Sequence, residues 1–100
     1  MIEHIVLLKL KDGVTVEQTD KMMDGLNKLK GVIPGMVEVS GGNNSSAEGK
    51  SGGFNFGFIV RFKDAASRDG YVPHPEHQKL AQTLVRPIVE QVIVFDYESK

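Results

Sequence analysis

The chain has 100 residues, 40% hydrophobic and 25% charged, with 12 Lys and Arg against 13 Asp and Glu and a net charge of -1. That length holds one domain, 1–100, with a core small enough that a second copy would add useful burial. The balanced, interleaved charge argues against a nucleic-acid or anionic-membrane partner, which would need a basic patch. No apolar run approaches the ~18–20 residues that cross a bilayer, and the absence of cysteine excludes disulfides, thiolate metal sites and a cysteine nucleophile.

The first residues enter a strand pattern directly, with Glu3 inside it and no basic region leading an apolar one, so no signal peptide is expected. The lack of cysteine fits a cytoplasmic address. Residues 2–11, IEHIVLLKLK, alternate as a strand. Ile2, His4, Val6, Leu8 and Leu10 share one face; Glu3, Ile5, Leu7, Lys9 and Lys11 share the other. Both faces are apolar in the middle, so both need cover.

Asp12-Gly13 ends this strand, and Thr15 with Gln18 forms a capping-box pattern that predicts a helix over 16–30. Its apolar stripe runs through Met22, Met23, Leu26, Leu29 and Ile33. Gly31 ends it, and Pro34 forbids a restart. A short strand follows at 36–40, then a loop over 41–53 with five glycines and three serines. Lys50-Ser51 gives that loop a faint likeness to a phosphate cradle, but the glycine spacing is wrong and a strand follows where a helix is needed.

Residues 54–62 are the clearest strand, with Phe54, Phe56, Phe58, Val60 and Phe62 on one face. Asp64 caps a short helix over 65–71, a longer helix runs from Pro75 to about Arg86, and a last strand occupies 91–98. The order β-α-β-β-α-β predicts an α+β, ferredoxin-like antiparallel four-stranded sheet with its helices on one face. Two helices cover one face only. The apolar groups on the other predict a homodimer, sheet face against sheet face.

The segment 71–80, YVPHPEHQKL, concentrates the candidate chemistry. His77 aligns with Leu80, Ala81, Leu84 and Ile88 on the apolar stripe, His74 stands at the N-cap, and Tyr71 ends the preceding helix. Three readings compete. His77 is a half-buried histidine satisfied by a carbonyl or carboxylate, with Tyr71 packed. Alternatively, His77 and Tyr71 face a cavity between sheet and helix, where they hold a ligand oxygen or move protons. The third is a metal site from His74, His77 and His4, for which the spacing is weak. There is no Ser-His-Asp pattern. Asp96, on the face of Val92 and Val94, is a structural acceptor rather than a catalytic acid, or orients a histidine across the sheet.

The segments EHIVLLKLKDG, GFIVRFKD, YVPHPEHQKL and VIVFDYE, with the Gly-rich hairpin, together resemble the stress-responsive α/β-barrel (Dabb) domain family across the whole chain. The resemblance implies a ferredoxin-like dimeric α/β barrel in which two sheets face each other. Many such proteins have no established activity, and some assemble beyond dimers. Some relatives suggest a magnesium ion near the end of the first helix; no metal site or cofactor is assigned here. Plant polyketide cyclases of the olivetolic acid type are similar, and close a linear polyketide by aldol chemistry without a cofactor. Their reactive histidine and tyrosine match His77 and Tyr71, and a pocket histidine matches His4. Phe56 and Leu26 stand where those cyclases carry a further pocket histidine and a pocket tyrosine, which implies a ligand pocket of different polarity.

The leading expectation is therefore a homodimer with a small-ligand pocket, for an apolar or carbonyl compound, in which His77 and Tyr71 are the catalytic candidates and His4, His74, Phe56 and Leu26 line the ligand. The alternatives are a cofactor-independent cyclase-like lyase and a purely structural oligomer-forming stress protein. No nucleic acid and no membrane is expected as a partner.

Overall fold

A computed structural model describes residues 1–100. The elements are β1 (Ile2–Leu10), α1 (Val16–Leu29), β2 (Met36–Asn43), β3 (Phe56–Phe62), α2 (Ala65–Tyr71), α3 (Pro75–Leu80) and β4 (Val89–Glu98). They build one antiparallel sheet in the order β2-β3-β1-β4, the expected ferredoxin-like α+β arrangement. No helix is long and apolar enough to cross a membrane.

The local signals work as anticipated. Thr15 accepts a hydrogen bond from the Gln18 backbone N–H at 3.2 Å, and Gln18 Oε1 accepts from the Thr15 N–H at 2.9 Å. Several boundaries differ, among them the last strand, which begins at Val89 rather than at 91. The second strand continues through Gly41 and Gly42 to Asn43, because β3 supplies a full ladder of partners there. The third begins at Phe56, leaving Phe54 in the hairpin. The last helix does not run unbroken to Arg86. It is α-helical to Leu80, widens into a π-turn over Ala81–Val85 and tightens into a 3-10 turn over Arg86–Ile88, where Pro87 cannot donate.

The core lies between the helices and the even-numbered face of β1. Val6, Leu8, Phe56, Phe58, Val60 and Phe62 from the sheet meet Met22, Leu26, Leu29, Tyr71 and Leu80 from the helices. Leu8, Met22, Val60 and Phe62 have no accessible surface left. At the β2 edge Gly41 is required by space. A Cβ there would lie 2.7 Å from the Gly57 carbonyl oxygen and 2.6 Å from Phe58 Cβ.

The other face is open. Leu7, Ile93, Phe95 and Tyr97 are exposed on it, Phe95 to 61%, beside half-buried Ile5 and Ile59. One end of this face is ionic: Arg61 Nε donates to Glu3 Oε1 at 2.8 Å, and Glu38 lies 3.8 Å from the same guanidinium. The edge strand β4 adds a feature that alternation alone did not indicate. Val92 and Val94 point to the helix side, yet they are 55% and 57% exposed, because the helices pack mainly over β1, β2 and β3 and cover β4 sparsely, with Arg68 reaching it at Asp96.

Gly41→Ala is expected to destabilise the fold by about 1–3 kcal/mol, the usual cost of overpacking against a backbone that cannot yield. A urea titration reads this as a lower midpoint at unchanged slope.

Candidate functional site

The site grows from the junction of α2 and α3. Asp64 caps α2, accepting from the Ser67 N–H at 2.8 Å and the Ser67 hydroxyl at 2.7 Å. At the other end the Val72 carbonyl has run out of helix and needs donors. His74 then caps α3: its Nδ1 accepts from the Glu76 N–H at 3.1 Å, with Pro75 in the first turn where no N–H is needed.

Two side chains from the first turns of α3 return to the Val72 oxygen, His77 Nδ1 at 2.9 Å and Gln78 Nε2 at 2.8 Å. A carbonyl only accepts, so the Nδ1 of His77 carries a proton. In neutral His77 the Nε2 is then a free lone pair. It has no partner in the chain, and no side-chain nitrogen or oxygen is sealed off unpaired, so it remains reachable.

The His77 ring stacks on Tyr71, with centroids 4.0 Å apart and planes at 29°. Tyr71 is 1% exposed, packed on Phe62 at 5.0 Å and met edge-on by His4 at 5.7 Å. Its hydroxyl makes no hydrogen bond within the chain and is not sealed off. His4 stands directly across the β1–β4 ladder from Asp96, and its Nδ1 lies 2.7 Å from Asp96 Oδ1. The other carboxylate oxygen of Asp96 accepts from Arg68 Nη1 at 3.1 Å, while Arg68 Nε donates to Asp69 at 2.9 Å.

Burial lowers the proton affinity of His77 below the ordinary 6.5, opposed by the Val72 and Tyr71 carbonyls, while the neighbouring His4 and His74 add to the lowering. Burial likewise pushes the Tyr71 phenol above its usual range. Near neutral pH the pair is therefore an unprotonated imidazole beside a protonated phenol. It offers one acceptor and one donor, the set needed to loosen a C–H proton next to a carbonyl.

The structure brings His77, Tyr71 and His4 together, with Asp96 against His4, one of the roles weighed for it. It does not bring in His74, which serves as a helix cap and lines a separate depression with Lys63, Asp64 and Ser67. No three His, Asp or Glu side chains converge as metal ligands. Leu26 and Phe56 are core residues, 1% and 5% exposed. The expected cavity between sheet and helix at His77 is not among the five principal depressions, none of which is lined by His77, Tyr71 or His4. Phenylalanines from β3 and leucines from the helices occupy that layer. The largest depression, about 690 Å³, lies instead on the open sheet side, between Leu7, Gly57 and Ile93 and the Gly-rich hairpin at Asn44 and Lys50. Arg68 was not singled out from the sequence. Its placement three residues before Tyr71 hints at a shared helix face, but its partner Asp96 is 28 residues away.

An imidazole NMR titration is expected to give His77 a midpoint below 6.5. The sign for stability follows from the lowered value: the unfolded chain binds the His77 proton more readily than the folded one. This contribution is complete above pH 6.5 and is lost as pH falls through the folded-state value. Tyr71→Phe removes an oxygen without a protein partner and should change stability by no more than about 0.5 kcal/mol, whereas Tyr71→Ala should cost about 3–5 kcal/mol.

Residues 2–99 match the family described as the stress responsive A/B barrel domain. The chain is 27% identical to olivetolic acid cyclase of Cannabis sativa, covering 99% of this chain and 97% of that one. It is 28% identical to the stress-response A/B barrel domain-containing protein HS1 of Arabidopsis thaliana, covering 97% and 88%. Among solved structures it resembles a dimeric ferredoxin-like protein of unknown function from Jannaschia sp. CCS1, at 30% identity, a TM-score of 0.84 and 98% coverage of both chains. With the ferredoxin-like sheet, the Tyr71-to-His77 segment and a match over nearly every residue, this chain belongs to the stress-responsive A/B barrel domain family.

Proposed function

We propose that the protein works as a homodimer, open sheet face against open sheet face, and that each subunit moves a proton next to the carbonyl group of a small ligand without a cofactor. One observation carries the chemical part. His77 is stacked at 4.0 Å on a buried tyrosine, and its Nδ1 is tied to Val72, so its Nε2 is the free base. In the reaction the C–H proton passes to His77 Nε2. The electron pair left on carbon moves into the carbonyl, and the Tyr71 hydroxyl stabilises the enolate oxygen by donating a hydrogen bond. The likeness to olivetolic acid cyclase supports this class of chemistry. The filled layer at Leu26 and Phe56 favours a substrate much smaller than a linear polyketide.

The dimer reading draws on Leu7, Ile93, Phe95 and Tyr97, which no helix covers, and on the dimeric state named for the Jannaschia relative. A cytoplasmic site of action fits the cysteine-free chain.

Two measurements test these parts separately. Light scattering should give twice the chain mass at micromolar concentration, and Phe95→Glu, which sets a charge in the apolar band, should give a folded monomer; a wild-type monomer overturns the assembly. For the chemistry, exchange of acetone methyl protons in D2O is followed by NMR. The protein should accelerate it, and His77→Ala should slow it by about 100-fold, the low end for losing a general base. An unchanged rate in a folded His77→Ala protein, with only a lower melting temperature, reduces the histidine to packing.

A further inference from the structure

We propose that the hollow beneath the Gly-rich hairpin binds a small monoanionic amphiphile, a carboxylate on a short hydrocarbon chain. The hydrocarbon lies in the trough at Gly42 and Gly57, and the carboxylate meets Lys50. This site is separate from Tyr71 and His77 and is built from the residues of one chain, so it does not depend on the acid–base chemistry proposed for that pair.

Strand register makes the trough. Gly42, Gly57, Leu7 and Ile93 are successive partners across β2, β3, β1 and β4, one row through the whole sheet. Leu7 and Ile93 present side chains on the open face, and the two glycines present none. A Cβ at Gly42 would meet nothing within 4 Å, and one at Gly57 would meet Leu7 Cδ2 at 3.1 Å and the Val6 carbonyl oxygen at 3.5 Å. Half of the row is therefore bare backbone beside aliphatic groups. The hairpin forms the wall, and Asn55 ties its base to β1. The Asn55 N–H donates to the Leu8 carbonyl at 3.0 Å, its Oδ1 accepts from the Leu10 N–H at 3.0 Å, and its carbonyl accepts from the Asn44 N–H at 2.9 Å. The depression so formed, about 690 Å³, is of the size that small-molecule sites have.

Charge selects the class of ligand. Lys50 is the one charged side chain lining the depression; no acid lines it, and the other polar groups there are amides and hydroxyls of the hairpin. Lys50 takes part in no ion pair, whereas Lys9, which runs beside Gly53, lies 3.8 Å from Glu90. One uncompensated cation matches one negative charge. A carboxylate supplies that, while a phosphate monoester brings close to two. The apolar floor matches a hydrocarbon tail, whose burial takes exposed surface of Leu7 and Ile93 out of water. A second copy laid over this face would roof the trough, since the glycines lie below the level of the flanking side chains.

The experiment titrates octanoate and octanol into the full chain, read by calorimetry and by methyl NMR of Leu7 and Ile93. Octanoate is expected to bind saturably, one per chain and tighter than octanol, with NOEs from its methylenes to those methyl groups. Lys50→Met should cut the octanoate-to-octanol affinity ratio about three- to fivefold, the scale of one exposed ion pair. Added salt should shrink the wild-type ratio in the same direction. Gly42→Val puts a strand-favouring side chain into the open space and should abolish binding of both probes. Gly57→Ala serves the same comparison if Gly42→Val does not fold. His77→Ala should bind octanoate as wild type does, which separates this site from the acid–base pair. A ratio that Lys50→Met does not move, or octanoate binding that survives Gly42→Val, overturns the inference. So does binding that appears only in Phe95→Glu, which would mean that the partner subunit fills the trough, and so does a wild-type protein that binds neither probe.

Discussion

A central strand presents its side chains to two sides, and this chain has helices for only one of them. β1 lies between β3 and β4 and is apolar on both faces. Its even-numbered residues, Ile2, Val6 and Leu8, are sealed under α1, α2 and α3, while Leu7 opposite them stays exposed. The same alternation carries His4 to the helix side, where Tyr71 and Asp96 wait, and leaves Glu3 on the open side, where Arg61 pairs with it. Slipping β1 by one residue would exchange both sets at once, so the core, the open face and the histidine site share one register.

The candidate site is assembled from helix ends. Neither α2, with seven residues, nor α3, with six, would be stable in isolation. Each is held by a cap and by packing. The exposed carbonyl at the end of α2 recruits His77 and Gln78, and that demand for hydrogen bonds orients the imidazole. A structural need and a chemical opportunity therefore meet in one hydrogen bond. The packed reading of His77 and the acid–base reading are not exclusive: the bond to Val72 satisfies Nδ1, and the same bond leaves Nε2 free.

Two of the expected ligand-lining positions, Phe56 and Leu26, are taken up by the core. Phe56 is part of the phenylalanine row that closes the helix layer, and Leu26 packs from α1. The residues flanking the Tyr71–His77 stack are polar and linked: Arg68, Asp96 and His4 form a chain of contacts of 3.1 and 2.7 Å. Space is offered elsewhere, on the open sheet side, where Gly42 and Gly57 leave a hollow beneath the hairpin. That hollow belongs to the face expected to meet a second copy.

Much of this protein was legible in its residues. Period-two alternation, the Thr15–Gln18 box, the Asp64 cap and the row of phenylalanines are local or nearly local signals, and they determined the element order, the ferredoxin-like fold and the two-faced β1. The family and the pairing of Tyr71 with His77 came from the same source, since one segment of chain holds both. Tertiary structure decided what depends on contacts between distant segments: that Asp96 meets His4 and Arg68, that the space beside Leu26 is filled, that His74 turns away as a cap, and that Val92 and Val94 of β4 stay exposed on the helix side. Backbone geometry and side-chain period are written residue by residue. Volume left between layers, and partners 28 or 92 positions apart, are fixed only when the sheet registers and the helices settle on it.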